Sequence, residues 1–552
     1  MDLFLKLVLT LLIFFTPFSF AATEPWAFSV VQGLVLLGTT AVLFSRRTLL
    51  FPSLFKSVFG AFLIVIILGL VQSCFAQTLL TETIPAYPIT LMRLYTLEHV
   101  SLFVTYAAVV LLTFQVYQSF DEVKQLVWTL VLAAACVELC KLLFPNGEYI
   151  TFLTGLKAGS SSVGPFLNRN HAGVFFVMSA LLALGLFFTH QLHYKKLFTR
   201  AQKNAFVVQQ VCLGLLSLGL MLAAVYTRSR GAMLSLFVGL FGYAFLCIWC
   251  VPSQIRRRLK RIFYTLLLLV VSSAWVYTHV EDINEFAQRQ NGASAEIRAM
   301  MYRSAVRILD QYPVWGIGIG AMPVVINQYT EFDVHQYIER LHNDWLEITL
   351  EIGYAGAAML LIALGWFIAG ALRRLKQLDI RKQFLFAALL SALLALCTGS
   401  TVDFHFFIPG CALMFFIILG LVQAPTFHHG HIHSWHCGWL GALLLVCLLG
   451  AACYVPLQKT RCWRAYVFGH GLKMQAKLAS YEQGLSYYPS PRYAVRLGNS
   501  YYNMARRSTD PVVQLFYLEQ AQDIAKEYLE HYPKDKELSR LYMRARHRLT
   551  SW

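Results

Sequence analysis

Stretches of about twenty apolar residues recur along the whole of this chain, and that recurrence limits what it can fold into more than any motif does. They lie at residues 3–20, 26–44, 57–75, 97–117, 123–143, 172–190, 206–226, 231–249, 262–280, 346–370, 383–402, 404–424 and 437–455. Within a bilayer every backbone polar group must be satisfied by the segment itself or by a closed barrel, and runs of this length suit helices. The pattern therefore predicts an all-α polytopic membrane protein of about twelve or thirteen spans. Only 14% of the residues are charged, against roughly 25% in a soluble chain. The count turns on the first run. Lys6 precedes most of it, and Ser19-Phe20-Ala21 has the form of a signal-peptidase site, so residues 1–22 are a first transmembrane span or a signal peptide. The uncleaved span is the favoured reading.

The formal net charge of +17 does not point to nucleic acid. In membrane proteins a basic surplus collects in cytoplasmic loops and sets the orientation. Arg46, Arg47 and Lys56 occupy one loop, Lys195, Lys196, Arg200 and Lys203 another, Arg256 to Arg261 a third, and Arg373 to Lys382 a fourth. With alternating spans all four fall on one side, which the rule makes cytoplasmic. The loops at 76–96, 144–171, 227–230, 281–345 and 403 then face outward, and so does the tail.

Two polar regions stand apart from the membrane domain at 23–456. The interval 281–345 is a large external loop with nine carboxylates against five Lys/Arg. A loop of that length with helical periodicity of its own is more often functional than connecting. The tail at 457–552 has sixteen Lys/Arg against eight Asp/Glu. Ala479 to Leu485 before Tyr488-Pro489 is echoed by Ala525 to Leu529 before Tyr532-Pro533, and Leu497 and Leu541 match at the same offset. This predicts paired helices of the tetratricopeptide (TPR-like) kind, which present a groove to a protein partner. A plain helical cap is the alternative.

Four clusters on the outward side carry groups suited to chemistry. Asn168, Arg169, Asn170 and His171 open a span, where free backbone N–H groups and these side chains can hold an anion; ordinary capping is the simpler reading. Arg228 and Arg230 interrupt what would otherwise be an apolar hairpin. Guanidinium groups at such depth are costly and grip phosphate through paired hydrogen bonds, although snorkelling to the headgroups also suits Arg228. Arg298, Arg303 and Arg307 ride on an amphipathic pattern that leads into Pro313 and the Gly316-x-Gly318-x-Gly320 run, a flexible bend without the Lys-Ser/Thr of a Walker loop. His342 and Asn343 stand at the start of the next span, and histidine is the usual side chain for moving a proton near neutral pH. A run of histidines from His428 to His436 resembles a metal-binding tract, but it falls on the opposite side and lacks a nearby carboxylate. Most of the twelve cysteines, Cys411 among them, fall in apolar runs and are expected to be buried free thiols.

In this order, Asn168-Arg169-Asn170-His171, Ser229-Arg230-Gly231, Arg298 before Pro313 and Gly316-Ile317-Gly318, then His342-Asn343 with Glu351-x-Gly353 and Gly356, the chain resembles the O-antigen ligase superfamily over residues 60–425. That group includes O-antigen ligases, protein O-oligosaccharyltransferases and O-antigen polymerases. The resemblance implies a GT-C-type helical bundle in the bacterial inner membrane, multi-pass, with the C-terminal domain periplasmic. It implies transfer of a glycan from undecaprenyl diphosphate to an acceptor hydroxyl, on lipid A-core or on protein Ser/Thr, by inverting displacement with no metal and no cofactor. Arg230, Arg298 and His342 match the family's essential residues. Arg228, Arg303, Asn168, Asn170, His171 and Asn343 are the expected substrate-binding residues around them. The chain departs from the family at Leu341, where Pro or His is common, and at Tyr302, where Trp is common.

Two other functions compete. A polymerase of O-antigen or exopolysaccharide would use a second lipid-linked glycan as acceptor. A transporter of lipid-linked glycans would carry charged residues near the bilayer midplane on several spans, whereas here the polar groups gather toward one face.

Overall fold

The computed structural model describes residues 1–46, 48–51, 55–76, 87–145, 148–150, 159, 161–191, 199–250, 281–329, 338–428, 433–436, 438–532 and 535–550. It is an all-α bundle. Helices α1 (Asp2–Phe18), α2 (Pro25–Ser45), α3 (Phe55–Cys74), α4 (Arg93–Val116), α5 (Phe120–Leu143), α6 (Arg169–Gln191), α7 (Arg200–Tyr226) and α8 (Arg230–Cys250) form the first part. The external segment follows as α9 (Glu281–Gln311) and α10 (Met322–Tyr329), then α11 (Asp344–Gln377), α12 (Ile380–Gly399), α13 (Pro409–Val422) and α14 (Trp439–Ala452). The tail folds as α15 (Tyr454–His470), α16 (Met474–Tyr487), α17 (Pro491–Arg507), α18 (Pro511–His531) and α19 (Lys536–Thr550). Ten helices among the described residues are long and apolar enough to cross a membrane, and α1 and α13 are shorter apolar helices. The expected span at 262–280 and the basic clusters at 195–196 and 256–261 lie outside the described residues.

Helix α6 is the centre. Phe176, Val177, Met178, Leu181 and Leu182 are fully buried, and it packs on α5, α7, α8, α12 and α13. Close approach to α12 depends on Gly185, where a Cβ would stand 2.4 Å from that of Ala388. Helix α7 is more outward: Val207, Val208, Val211 and Leu215 are exposed, an apolar surface fit for lipid. Helix α8 ends in a C-x-x-C pair, Cys247 and Cys250, both free thiols.

The helix ends sort onto two faces as the alternation predicts. On the basic face, β1 (Thr48–Phe51) pairs antiparallel with β2 (His433–His436), Lys6 bonds Glu122 at 2.7 Å and Arg46 bonds Asp2 at 2.8 Å. The other face gathers the starts of α4, α6, α8, α11 and α13. One expectation needs adjustment: the apolar run at 404–424 becomes helical only at Pro409. Residues 400–408 form an ordered turn instead, in which the Phe404 N–H donates to Asp403 Oδ1 at 3.0 Å and the Ile408 N–H to the His405 carbonyl at 3.2 Å.

The glycine run is also firmer than a flexible bend. Helix α11 breaks at Gly353 (φ 69°, ψ 179°), and the freed backbone pairs with the run. Ile317 N–H donates to the Leu350 carbonyl at 3.1 Å, Gly318 N–H to Glu351 at 3.0 Å, and Tyr354 N–H to Pro313 at 2.7 Å. The side chain of Gln72 closes the junction by donating to the Trp315 and Glu351 carbonyls at 3.0 and 3.1 Å.

In the tail, the two repeat copies fall on α16–α17 and α18–α19. Leu497 and Leu541 meet in one core with Tyr466, Tyr481 and Ala525. The proposed boundary near 456 lies in the first turn of α15, which leads straight on from α14. The tail docks on the start of α4: Lys459 and Tyr488 both bond Glu98 at 2.6 Å, and the Tyr95 and Ser490 hydroxyls are 2.7 Å apart. Arg492 pairs with Glu339, three residues before His342.

Candidate active site

The site is built where α11 begins. Asn343 caps that helix by accepting from the Leu346 N–H at 3.1 Å, the role its residue type favours. To enter the cap, His342 takes φ +56°, a left-handed conformation that non-glycine residues rarely adopt. Several bonds hold it there. The Tyr302 hydroxyl donates to the His342 carbonyl at 3.0 Å. On the preceding side, Glu347 accepts from the Leu341 N–H at 2.9 Å and from Arg340 at 2.7 Å. The Arg340 guanidinium also stacks over Phe407, 3.9 Å from the ring centre, and meets His99 Nε2 at 3.3 Å.

His342 Nδ1 lies 3.0 Å from Asp403 Oδ1. The His342 side chain is 32% exposed and that of Asp403 only 3%, so the imidazole faces outward with the carboxylate behind it. Burial alone would raise the Asp403 carboxyl. The hydrogen bond from His342 and the neighbouring His171 and His405 rings outweigh it and hold the group below the ordinary carboxylate range. An ionised Asp403 requires a proton on His342 Nδ1, which leaves Nε2 of the neutral ring free to accept one.

The other expected residues arrange themselves around this pair. Asn170 donates to Asp403 Oδ2 at 2.6 Å. Asn168 caps α6, accepting from the Asn170 N–H at 2.9 Å. Arg298 donates to the carbonyl of Val402, next to Asp403, at 3.3 Å. Arg230 opens α8, and its neighbour Gly231 lies against the same Val402, where a Cβ would be 3.0 Å away. Arg228 stands at φ +61° in the turn before it. His171 is buried under the cluster, its Nδ1 3.0 Å from that of His405, and so supports Asp403 from behind. Arg303 is exposed on α9 away from the Met301, Ala305 and Ile308 face, and is not drawn into the cluster.

Sequence reasoning did not single out Asp403, Arg340, Glu347 or His405. For Asp403 a signal existed: it is the only carboxylate between Asp379 and Glu482. A lone acid amid apolar spans is rarely without a function. Arg340 and Glu347 carried no comparable mark.

Fold and site thus define a polytopic membrane protein with a histidine–carboxylate pair and arginines gathered at one face of the bundle. Residues 214–361, from the middle of α7 into α11, match the family model described as O-antigen ligase. Over these residues the chain resembles the O-antigen ligase superfamily, and the match supports a membrane glycosyltransferase of a general type. The matched stretch contains Arg228, Arg230, Arg298, Arg303, His342 and Asn343, and leaves out Asn168, Asn170, His171 and Asp403. No curated protein matches the sequence.

Proposed function

We propose that the protein transfers a glycan from undecaprenyl diphosphate to an acceptor hydroxyl, on lipid A-core or on a protein Ser/Thr, at the periplasmic face of the bacterial inner membrane. The observation that carries this reading is the His342–Asp403 pair with Arg298 anchored one residue away on Val402. The donor diphosphate lies at headgroup level against Arg230 and Arg298. Those guanidinium groups meet the charge that grows as the anomeric C–O bond breaks. The acceptor oxygen attacks the anomeric carbon from the opposite side while its proton passes to His342 Nε2, and the bond electrons leave with the diphosphate. Asp403 fixes the ring and stabilises the imidazolium. One in-line displacement inverts the anomeric configuration. The two guanidinium groups do the charge-neutralising work at the reacting centre, and no step calls on a metal there.

The tail, on this reading, is a periplasmic TPR-like domain. Its ion pair from Arg492 to Glu339, beside the catalytic loop, favours a role in presenting an acceptor or a protein partner. A polymerase would use the same groups with a second lipid-linked glycan as acceptor, and the product tells the two apart. A transporter is disfavoured by the concentration of polar groups at one face.

Reconstitution with undecaprenyl-diphosphate-linked glycan and candidate acceptors tests the proposal. Wild type forms a new glycosidic bond, and R230A, R298A and H342A do not. Transfer retained by all three folded variants removes the assignment, and glycan crossing the bilayer with no new bond supports transport instead.

A further inference from the structure

Beneath the turn that carries Asp403 lies a second group of side chains, which back that carboxylate but touch neither glycan donor nor acceptor in the scheme above. His171 comes from the first turn of α6, His405 from the 400–408 turn and Cys411 from the first turn of α13. Their donor atoms all lie within 4.8 Å of one another. They are 3%, 1% and 0% exposed. The two Nδ1 atoms point at each other across 3.0 Å, with the ring planes at 89°, and Cys411 Sγ is 3.4 Å from the His171 carbonyl oxygen.

Hydrogen bonding alone is a poor account of this packing. Two neutral imidazoles can share one proton between their Nδ1 atoms, which serves a single nitrogen of each ring. His171 Nε2 is buried with no partner whichever group its Nδ1 meets, so the ring is held at this position at a cost that hydrogen bonding does not offset. An apolar residue at either position would pack there without that penalty.

We propose that His171, His405 and Cys411 bind a thiophilic divalent cation of the zinc type through two imidazole nitrogens and a thiolate. In tetrahedral zinc, bonds of ~2.0–2.1 Å to nitrogen put the two nitrogens ~3.3 Å apart, with sulfur at ~2.3 Å from the metal. The 3.0 Å between the rings is close to that spacing. The charges also balance: the two positive charges of the ion are met by the Cys411 thiolate and by Asp403, two residues from His405. A buried ion demands such a partner set. Binding displaces the thiol proton to solvent, and a water fills the fourth position. The ion sits behind Asp403 rather than before His342. It is a staple that joins the start of α6, the 400–408 turn and α13, and so fixes the segment on which Asp403 is carried. The proposal does not rest on glycan transfer and stands or falls without it.

The test uses the full chain purified in detergent, stripped with chelator and loaded with Zn(II) or Co(II) alone. His428, His429, His431, His433 and His436 are first changed to Gln, so that the histidine tract on the other face contributes nothing. After desalting, elemental analysis is expected to find about one equivalent of metal, as for a structural site. The Co(II) form is expected to show the near-ultraviolet thiolate-to-metal band. C411S loses the band, H405Q loses the metal, and H342A keeps both. Zn(II) is expected to raise the unfolding midpoint of the parent chain and not of C411S. No retained metal, a retained Co(II) without the thiolate band, or an equivalent still held by both C411S and H405Q overturns the proposal. The first two of those outcomes are read on the parent chain, so they decide the matter even where a variant fails to fold.

Discussion

The two faces of the bundle are made differently. On the basic face, turns obey local rules. Ser119 and Glu122 form a reciprocal capping box at the start of α5, Thr199 and Gln202 do the same for α7, and Asp379 caps α12. On the other face, helix starts depend on partners far away in the chain. Every residue with positive φ among those described, from Phe20 to Gly353 and including Arg228 and His342, belongs to that face or the segments packed on it. His342 is held by Asp403, 61 residues on, and Asn170 reaches the same carboxylate across 233 residues. Strain and buried charge cluster where surrounding structure over-determines them, which is what a reactive site requires. On the proposed function, one face carries architecture and the other carries chemistry.

That division is most directly broken at His342. H342A is expected to lower transfer by roughly a thousandfold, the middle of the range that a positioned general base contributes, while the folded protein still binds donor. D403N keeps the geometry but removes the charge that fixes the tautomer, and transfer is expected to fall by about a hundredfold or more. Single-turnover assays with saturating donor check both. Unchanged rates in the folded variants would mean that the strain at this face serves only structure.

The arginines come next. R298A and R230A are each expected to cost about a hundred- to a thousandfold in kcat, as for the loss of one group that stabilises developing charge. R298K should restore little, because an ammonium cannot reproduce the planar fork. The same assays on R303A serve as the contrast. Arg303 is exposed on α9 and outside the cluster, so its loss is expected to leave kcat within about twofold, a surface change with no buried partner.

Much of this was legible in the sequence, and the reasons are physical. Spans announce themselves by length and composition, and basic loops fix which ends share a face, so the convergence of Arg230, Arg298 and His342 on one side followed from counting. A cap at the start of α6 was legible, but the sequence pointed to Asn170, whereas Asn168 takes that role. The pairing of His342 with Asp403 was not legible. It depends on the register between two loops separated by α11 and α12, and local periodicity carries no information about that. The apolar run at 404–424 hid the site further, since hydropathy alone gives no sign that its first residues turn back on Asp403 before Pro409 starts the helix. Arg340 and Glu347 were obscure for the same reason: seven residues apart across a left-handed turn, they meet only because His342 takes φ +56°.

A glycine substitution separates strain from chemistry on the reactive face. Gly353 sits at φ 69° and ψ 179°, a region open almost only to glycine, and a Cβ there would stand 2.2 Å from the Val314 carbonyl oxygen. G353A is expected to destabilise the protein by about 3 kcal/mol, from backbone strain and from the clash. The junction of the Pro313–Gly320 run with α11 would loosen, and transfer would fall with the folded fraction. A thermal midpoint unchanged from wild type would show that this junction yields easily and does not hold α11 in place.

The smallest change tests the other face. Ser119 accepts from the Glu122 N–H at 3.3 Å and closes a capping box with no contact to the reactive cluster. S119A removes one helix cap, and caps of this kind are worth about 1 kcal/mol. The expected result is a small drop in stability with transfer per folded molecule unchanged. Glu122 would lose its hydroxyl partner but keep Lys6 at 2.7 Å, so the neighbouring contact between α1 and α5 should survive. If S119A instead lowered transfer while leaving stability intact, the basic face would be coupled to the site through α5 and α6. The separation of architecture from chemistry would then have to be given up in favour of a bundle that acts as one mechanical unit.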